Sequence, residues 1–416
     1  MIEDLKVRWS ANGLPDGWGR AKLGDLCDTT SGGTPARKVD AYFKGNIPWV
    51  KSGELPDGPV IDIEELITKE AIDNSSAKLF PAGTLLVALY GATVGKLGIL
   101  TRPSATNQAV CAIFPRTALN VKYLFWYLQF ARPELVRKAI GGAQPNISQG
   151  ILRTLEIPVA PVQEQSKIVA EIEKQFSRLD EAVALLKRTK ANLKRYKAAV
   201  LKAAVEGKLI SGGKAFQRVT LGTVCDKITD GEHQTPKRHT VGRLLLSAKN
   251  VRDGFINYAD HDLIADNDFE KCRNRCDARV GDVLLVCVGA TIGRAAIVRD
   301  DTEFALVRSV ALLRSSASML PKYLLFSIQS DSIQKQIAVV KRGSAQPCLY
   351  LNRIRNLLIT VPPLAEQEEI VAEVERRLSV IEELDSNVEA NLARAERLRQ
   401  AILQQAFSGN LVNTGA

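Results

Sequence analysis

Several patterns that would assign a chain to a familiar class are missing from this sequence. Its 416 residues contain no apolar run near the roughly 20 residues that a membrane span requires, and residues 1–10 lack the apolar core of a secretory signal. The seven cysteines are odd in number and scattered, which argues against a disulfide framework and favours a reducing, cytoplasmic location. Glycine and proline are not enriched, which excludes a fibrous or low-complexity protein.

Signatures of the common enzyme classes are absent as well. The sequence contains no Gly-x-Ser-x-Gly elbow, no His-Glu-x-x-His zinc motif, no Gly-x-Gly-x-x-Gly loop, and no Asn-Pro-Pro-Tyr or Asp-Pro-Pro-Tyr stretch of an adenine-N6 methyltransferase. The histidines and the Cys272–Cys276 pair lack the spacing of metal ligands, so no metal site is expected. Residues 91–96, Gly-Ala-Thr-Val-Gly-Lys, are one residue short of a P-loop, and Leu97 stands where a P-loop has Ser or Thr. These absences predict a chain without catalytic activity of its own.

The dominant positive feature is a direct internal repeat. Residues 91–96 return 198 positions later as residues 289–294, Gly-Ala-Thr-Ile-Gly-Arg. Residues 143–173 match residues 345–375 at 15 of 31 positions. The chain is therefore one unit of about 200 residues written twice, a size that is common for domains.

Each copy divides into a mixed first part and a helical second part. The second part has no internal Gly or Pro and predicts a long helix over 162–206 and again over 364–408. A proline precedes and a glycine follows each of these helices, as expected for helix boundaries. In the first part of copy one, short apolar runs predict strands at 84–89, 98–100 and 109–114 and a helix near 121–130.

An apolar stripe runs along each long helix, with spacings that alternate between three and four residues as in a heptad. Either each helix packs on its own globular part, or the two helices pair with each other. The charges favour mutual pairing, because residues 162–209 carry eleven basic and six acidic side chains, whereas residues 364–411 carry five basic and ten acidic. The stripe residues are Ile168, Ile172, Phe176, Leu179, Val183, Leu186, Leu193, Tyr196 and Val200 in the first helix and Ile370, Val374, Leu378, Ile381, Leu384, Val388, Leu392, Ala395, Leu398 and Ile402 in the second.

These features predict an α+β protein with two mixed α/β globular domains, joined by two long antiparallel coiled-coil helices and related by pseudo-two-fold symmetry. The helix charges cancel, so the net charge of +10 lies on the remaining segments and favours an anionic partner such as nucleic acid. The predicted boundaries are 1–161 for the first domain, 162–208 for its helix, 209–215 for a linker, 216–363 for the second domain, 364–411 for its helix and 412–416 for a tail.

Polar loops at corresponding places of the two copies are candidate binding segments. Residues 30–35, Thr-Ser-Gly-Gly-Thr-Pro, correspond to residues 229–236, Thr-Asp-Gly-Glu-His-Gln-Thr-Pro, and both are either binding loops or ordinary solvent-facing connections. Lys51 and Lys249, with their neighbours, are candidates for contacts with phosphate or base edges. The basic residue that ends each Gly-rich turn is interpreted as a phosphate contact. A shared frame with different loop residues is what two readers of different DNA sequences need.

The motifs together resemble the specificity (S) subunit of type I restriction–modification systems, the HsdS family. The resemblance rests on the Gly-Ala-Thr-x-Gly turns, the run Gly-Ala-Gln-Pro-Asn-Ile-Ser at 142–148, the Pro and Glu-Gln residues that lead into each long helix, and the endings 206–209 and 408–411. These motifs span nearly the whole chain. The second copy departs from the pattern at 345–350, Ala-Gln-Pro-Cys-Leu-Tyr, where the Asn-Ile-Ser ending is replaced.

The resemblance implies two target-recognition domains, each reading one half of a split, asymmetric site in double-stranded DNA, with the helices as a spacer. It implies two methylation (M) subunits and two restriction (R) subunits as partners. S-adenosylmethionine, ATP and Mg would bind to those partners, so no cofactor is expected in this chain. Adenine methylation and restriction would be directed by this chain and performed by its partners.

The loops and the resemblance together give the candidate DNA-binding residues. In the first copy they are Thr30, Ser31, Gly32, Gly33, Thr34, Lys51, Ser52, Thr93, Lys96, Asn107, Gln108, Gln144, Asn146 and Ser148. In the second copy they are Asp230, His233, Gln234, Thr235, Lys249, Asn250, Thr291, Arg294, Arg308, Gln346 and Tyr350.

Two other classes of function stay open at this stage. A free-standing DNA-modifying enzyme with an unfamiliar site is disfavoured by the missing motifs, and a methylation assay of the chain alone would test it. A coiled-coil adaptor without a DNA role is disfavoured because it would not need different loops on a common frame.

Overall fold

Short strands joined by turns form the globular parts of the computed structural model, which describes residues 13–116, 119–139, 146–210, 216–341 and 347–412. The chain divides into two units, Met1–Leu185 with Asn391–Ala416, and Leu186–Ala390. Each long helix therefore contributes one end to each unit. The sequence predicts contiguous domains instead, because chain order does not reveal which core a helix end will join.

The globular part of the first unit is built on small sheets. In chain order the elements are β1 (Gly19–Lys22), α1 (Leu23–Leu26), β2 (Cys27–Ser31), β3 (Ile47–Val50), β4 (Gly58–Val60), β5 (Leu66–Ile67), α2 (Lys69–Asp73), β6 (Leu79–Phe80), β7 (Leu85–Ala88), β8 (Leu97–Leu100), β9 (Ser104–Thr106), β10 (Val110–Pro115), α3 (Val121–Arg137), α4 (Gln149–Arg153), β11 (Glu156–Val159) and the long helix α5 (Val162–Val205). The main sheet has the strand order β2-β10-β7-β8-β4, a second sheet has the order β5-β3-β9-β6, and β1 pairs with β11. The pairs β3–β9 and β4–β8 are parallel, so both larger sheets are mixed.

The strands expected from the apolar runs of the first copy are confirmed within one residue at each end, as β7, β8 and β10. Helix α3 is longer than predicted, because it continues through Pro133 to Arg137. A proline inside a helix removes one backbone hydrogen bond. Leu135, which is buried in the core beyond this proline, gives the extra turn a compensating apolar contact.

The second unit repeats this arrangement with fewer strands. In chain order its elements are β12 (Gln217–Thr220), α6 (Leu221–Val224), β13 (Cys225–Asp230), β14 (Arg243–Leu246), β15 (Asp262–Ile264), α7 (Asp266–Arg275), β16 (Val283–Val286), β17 (Ala295–Ile297), β18 (Ala305–Leu306), β19 (Val310–Ser315), α8 (Pro321–Gln329), α9 (Asp331–Lys341), α10 (Leu351–Arg355), β20 (Leu358–Val361) and the long helix α11 (Leu364–Phe407). The sheets have the orders β13-β19-β16-β17 and β15-β14-β18, and β12 pairs with β20.

The glutamine of the repeated Glu-Gln pair fixes each long helix to its globular part. Gln165 is buried, its Oε1 accepts from Asn120 N at 2.8 Å, and its Nε2 donates to Ala160 O at 2.9 Å. Gln367 is equally buried and makes the equivalent bonds with the N–H before α8 (2.8 Å) and with Pro362 O (2.9 Å). A buried amide must satisfy its donors and acceptors, so these bonds set where each helix starts.

The ends of the long helices are buried in the globular cores. In the first unit, Ile172 and Phe176 of α5 share a core with Leu403 and Phe407 of α11. In the second unit, the last turns of α5 and the first turns of α11 join one core in the same way. The two packing alternatives raised by the sequence therefore both hold, because each helix end packs on a globular part and beside the other helix.

Three residues of the predicted apolar stripe are exposed to solvent. Tyr196, Leu384 and Leu398 are 48%, 46% and 43% exposed. Leu384 lies near the middle of α11, whereas Tyr196 and Leu398 lie nearer the C-terminal ends of their helices. Two helices side by side cover only a narrow face of each other. Assigning them to a buried seam was wrong.

Charge complements the apolar contacts between the helices of the second unit. Residues 186–205 of α5 carry seven basic and no acidic side chains, whereas the part of α11 in this unit carries nine acidic and two basic. Lys190 forms a salt bridge with Glu389, and Tyr196 lies near Arg376. From Lys190 to Tyr196 the residue numbers rise along α5, while the numbers of their neighbours in α11 fall from Glu389 to Arg376. Within this unit the two helices are therefore antiparallel.

Candidate nucleic-acid interface

Loops of the first unit meet at one place and form a candidate binding site, called site 1. The N–H groups of Gly32 and Gly33, after β2, donate to carbonyls at the two ends of the β9–β10 loop, at 3.2 and 2.9 Å. Leu89 N, after β7, donates to Ala109 O at 2.8 Å, and Ile147 N, before α4, donates to Leu89 O at 2.7 Å. These backbone bonds bring most of the predicted loop residues of the first copy together.

The second unit builds its counterpart, site 2, with the same four bonds. Gly231 and Glu232 donate to carbonyls at the ends of the β18–β19 loop at 3.2 and 2.8 Å. Cys287 N donates to Ser309 O at 2.9 Å, and Leu349 N donates to Cys287 O at 2.8 Å. The two sites are therefore one backbone frame used twice.

The frame requires glycine where two backbones touch. A Cβ atom on Gly32 would lie 2.1 Å from Thr106 O, and one on Gly231 would lie 2.2 Å from Leu306 O. A Cβ atom on Gly33 would likewise clash with the backbone of Ser76, at 2.2 Å. Gly32 and Gly33 are buried, so the structure assigns these two predicted DNA contacts to the frame and not to the surface.

The side chains on this common frame differ between the sites. The bonds above place Ser31, Thr34, Tyr90, Gln108 and Asn146 of site 1 where site 2 has Asp230, His233, Val288, Arg308 and Cys348. Site 1 therefore presents neutral hydroxyl and amide groups, whereas site 2 presents four ionisable side chains and the apolar Val288. Such groups recognise different base edges in a DNA groove.

In site 1 the polar side chains hold one another in place. Thr34 Oγ1 donates to Gln108 Oε1, and the Tyr90 hydroxyl also bonds to Gln108. Burial raises the pKa of Tyr90 further above its usual value, so its hydroxyl is protonated at neutral pH like that of an ordinary tyrosine. Tyr90 also forms a β-bridge with Asn146. The exposed amide of Gln108 is thereby oriented by its neighbours.

The predicted residues Thr30 and Ser31 are also held by side-chain hydrogen bonds in site 1. Lys78 Nζ donates to Thr30 Oγ1 at 2.6 Å, and the Gln149 amide hydrogen-bonds to the Ser31 hydroxyl at 2.8 Å. These bonds order the end of β2, so its hydroxyl groups point in defined directions.

Site 2 contains a charged cluster. His233 Nε2 lies 3.0 Å from Asp230 Oδ2, and Arg275 Nη2 donates to Asp230 Oδ1 at 2.9 Å. Arg308 is exposed and forms no salt bridge within the described parts of the chain. Burial raises the pKa of the Cys348 thiol, which keeps it un-ionised. Arg308 is thus the free cation of this site among the described residues.

Some predicted contacts have structural roles instead. Asn250 is fully buried, its Oδ1 accepts from Ser247 N at 2.9 Å, and its Nδ2 donates to Asp260 O at 2.6 Å. Asn107 Oδ1 accepts from the backbone of its own loop at 3.2 Å. Ser148 Oγ accepts from an N–H in the first turn of α4 and caps that helix. The prediction of a DNA contact at Asn250 was wrong, because a buried and bonded amide cannot reach a base.

The two candidate lysines are neutralised by acidic neighbours. Lys51 bonds to Glu64 at 2.9 Å, and this bond raises its pKa. Lys249 bonds to Asp260 at 3.0 Å with the same effect on its pKa. The two lysines are not equivalent positions of the repeat, because strand register places Ser247 where Lys51 stands.

Both Gly-rich turns adopt the tight form expected. Gly91 and Gly95 have φ of +85° and +79°, which favours glycine. Thr93 O accepts from Lys96 N at 2.9 Å, and Thr291 O accepts from Arg294 N at 3.2 Å. Lys96 is half-buried and forms no ion pair in the described ranges, so its charge is available.

The remaining predicted residues lie at the margins. Ser52 begins a short 3-10 turn, Gln234 and Thr235 are exposed in the loop after β13, and Tyr350 is exposed before α10. Gln144 and Gln346 fall outside the residues that the structure describes.

Sequence reasoning missed Tyr90, Lys78 and Arg275. Tyr90 directly precedes the repeated Gly-Ala-Thr turn, where the second copy has Val288, so a difference beside a shared motif was the signal that could have found it. Lys78 and Arg275 reach their sites only through tertiary contacts.

Neither a metal site nor a membrane span emerges from the described residues. They contain no group of three or more His, Cys, Asp or Glu side chains placed to hold a metal ion. Among the described helices, none is both long and apolar enough to cross a membrane.

Comparison with known proteins identifies the class. The fold is that of solved chains from type I restriction–modification systems. A family model described as the type I restriction modification DNA specificity domain matches residues 15–195 and 240–389, and the chain belongs to this family.

Individual relatives align over nearly the full length. The specificity subunit of the type I restriction enzyme EcoBI from Escherichia coli is 25% identical, over 97% of this chain and 89% of that protein. The EcoKI specificity subunit from Escherichia coli strain K12 is 24% identical, over 97% and 91%.

Solved structures show the same fold. A chain from a structural study of complex assembly in the type I R-M system has a TM-score of 0.76 and 20% identity, over 95% of this chain and 99% of that chain. The HsdS subunit from Thermoanaerobacter tengcongensis has a TM-score of 0.54 and 20% identity, over 95% and 98%.

Proposed function

We propose that this chain recognises a bipartite, asymmetric sequence in double-stranded DNA, with site 1 reading one half and site 2 the other. The observation that carries the proposal is the pair of matching backbone frames with different side chains. A subunit that read two identical half-sites would need identical side chains at Gln108 and Arg308, and one without a DNA role would need no matching frames. The net charge of +10 favours the same partner.

Recognition then directs chemistry on partner subunits. Two methylation subunits would bind S-adenosylmethionine and methylate adenine, and two restriction subunits would use ATP and Mg to cleave DNA. This chain would supply the sequence information for both, in the cytoplasm. The relatives named above are specificity subunits of type I restriction enzymes, which supports these partners.

The test is an exchange of one recognition region. Residues 20–155 are replaced by the matching region of a relative, and the methylated motif is determined by sequencing DNA from cells that also express the methylation partner. One half of the motif should change and the other half should persist. A change in both halves, or in neither, would contradict modular recognition.

An assay of the chain alone tests the division of labour. The purified chain, incubated with S-adenosylmethionine and DNA, should transfer no methyl group, and adding the methylation partner should restore transfer. Methylation by the chain alone would make it an enzyme and refute the proposal.

A further inference from the structure

A basic cleft in the second unit lies beside site 2 but is not part of it. One wall is the face of α5 that carries Lys194 and Lys197, and the other is the turn that contains Thr291 and Arg294. Asp253 also lines the cleft, 4.0 Å from Arg294. Three cations and one carboxylate therefore share a cleft of about 470 Å³.

The cleft continues a lysine stripe along α5. Lys187, Lys190, Lys194 and Lys197 follow one another at spacings of three and four residues, which places them on one face of the helix. The stripe is about 15 Å long at 1.5 Å per residue, a length over which one DNA strand carries about four phosphates.

Some of this charge is already compensated. Lys190 is paired with Glu389. Glu382 and Asp385 line a second groove, which all four lysines of the stripe also line. Lys194 and Lys197, in contrast, form no salt bridge with any described residue. The uncompensated charge therefore lies at the cleft end of the stripe.

Among the described residues of the first unit, the corresponding groove is lined differently. There, Arg399 of α11 stacks over Phe176 at 5.0 Å and pairs with Asp180, so its charge is used internally. The groove beside it is lined by acidic residues, Asp57, Glu173, Asp180 and Glu181. The basic cleft is thus a property of the second unit and not of the repeat.

We infer that Lys194, Lys197 and Arg294 bind the phosphate backbone of DNA that continues past site 2. This inference rests on the proposed function. DNA is the ligand that the geometry favours, because the turn with Arg294 follows directly from Val288, which forms a β-bridge with Cys348 in site 2. A duplex held in site 2 would have its backbone within reach of the same turn. Contacts of this kind add affinity and orientation but carry no sequence information.

The test compares two charge-matched double variants of the full chain, assembled with its methylation partner. Lys194→Gln/Lys197→Gln removes the cleft lysines. Arg188→Gln/Arg195→Gln removes the same charge from another face of the same helix, and neither arginine lines either groove. DNA binding is measured by fluorescence anisotropy against salt, on one duplex with the methylated motif and one without it. Assembly is checked by size-exclusion chromatography.

The slope of log affinity against log salt should fall by about two units in the lysine variant, at about 0.9 per lost phosphate contact. The affinity ratio between the wild type and this variant should therefore shrink about tenfold between about 50 and 200 mM salt. Both duplexes should be affected equally, the methylated motif should not change, and the arginine variant should keep the wild-type slope.

Three results would overturn the inference and leave the proposed function standing. They are an unchanged slope in the lysine variant, an equal loss in both variants, and a loss of assembly with normal DNA binding, which would make the stripe a protein interface. If the wild-type complex did not distinguish the two duplexes, the proposed function itself would fail.

Discussion

At the scale of single residues, Gln108 and Arg308 separate the two sites most clearly. They occupy the same position on the shared frame and both are exposed. A glutamine amide pairs with the N6 and N7 of adenine, whereas an arginine pairs with the O6 and N7 of guanine. The difference between the two half-sites should therefore be concentrated at the base pairs that these residues contact.

Exchanging these residues should change the recognised bases. Gln108→Arg should replace an A·T pair by a G·C pair in one half-site, and Arg308→Gln should do the reverse in the other, because each bidentate contact contributes about 1–3 kcal/mol of discrimination. The measurement is the methylated motif in cells that carry each variant. Each variant serves as the control for the other, because its change should stay within one half. Motifs that stayed the same in both variants would show that neither residue contacts a base.

The glycine of the frame gives a prediction about stability. Gly32→Ala would place a Cβ atom 2.1 Å from Thr106 O, so the strands must separate. The free energy of unfolding should fall by about 1–3 kcal/mol, as for other overpacked sites. Gly53→Ala is the control, because no atom lies within 4 Å of its added Cβ. Calorimetric melting should show a lower midpoint for the first variant only, and equal midpoints would contradict the close contact.

Residue roles were the part of the site that the sequence predicted least well. The loops were found because two copies could be compared, and both Gly-rich turns have the predicted tight form. Asn250 was misassigned, because its burial depends on a carbonyl ten residues away that its own loop folds back to meet. Arg275 was missed, because its contact with Asp230 joins residues 45 positions apart. Hydrogen-bond partners of this kind are not encoded in local sequence patterns.

At the scale of elements, the apolar stripes predicted the long helices but not their burial. The helices begin at Val162 and Leu364, directly after the prolines that predicted them. Which stripe residues are covered depends on the globular parts, which cover only the helix ends. Phe407 of α11 therefore belongs to the core of the first unit. Its ring contacts those of Tyr123 and Tyr127 edge-on, with ring centroids 5.2 and 5.0 Å apart.

The buried position of Phe407 leads to a prediction about the stability of the fold. Phe407→Ala should lower the free energy of unfolding by about 3–5 kcal/mol, because it leaves a cavity among aromatic rings. Leu398→Ala in the same helix should cost under about 1 kcal/mol, because that side chain is 43% exposed. Thermal melting of both variants compares them directly. Similar losses would mean that the exposed Leu398 contributes as much packing as the buried Phe407.

At the scale of the whole molecule, the repeat predicted more than any single motif did. It predicted a duplicated globular fold, and both copies have it. It did not predict that each unit is closed by a helix end from the other half of the sequence. The reason is that a repeat compares the copies with each other and contains no information on which copy covers which core.

The shared helices make the spacing between half-sites testable. Because each long helix contributes to both units, its length should set the number of base pairs between the two recognised halves. Seven residues are added to both helices, after Thr189 in α5 and after Glu389 in α11, which are neighbouring levels because Lys190 pairs with Glu389. Seven residues keep the heptad phase and lengthen each helix by about 10 Å.

At 3.4 Å per base pair, this extension corresponds to about three base pairs. The original motif should be lost from the methylated DNA of cells that carry the doubly extended chain, and a motif with a spacer about three base pairs longer should replace it. Adding seven residues to α5 alone should misalign the helices and lower the melting midpoint, which separates a spacer effect from a folding effect. If the doubly extended chain methylated the original motif at full efficiency, the helices would not set the spacing, and their charged faces would serve only for binding partners or DNA.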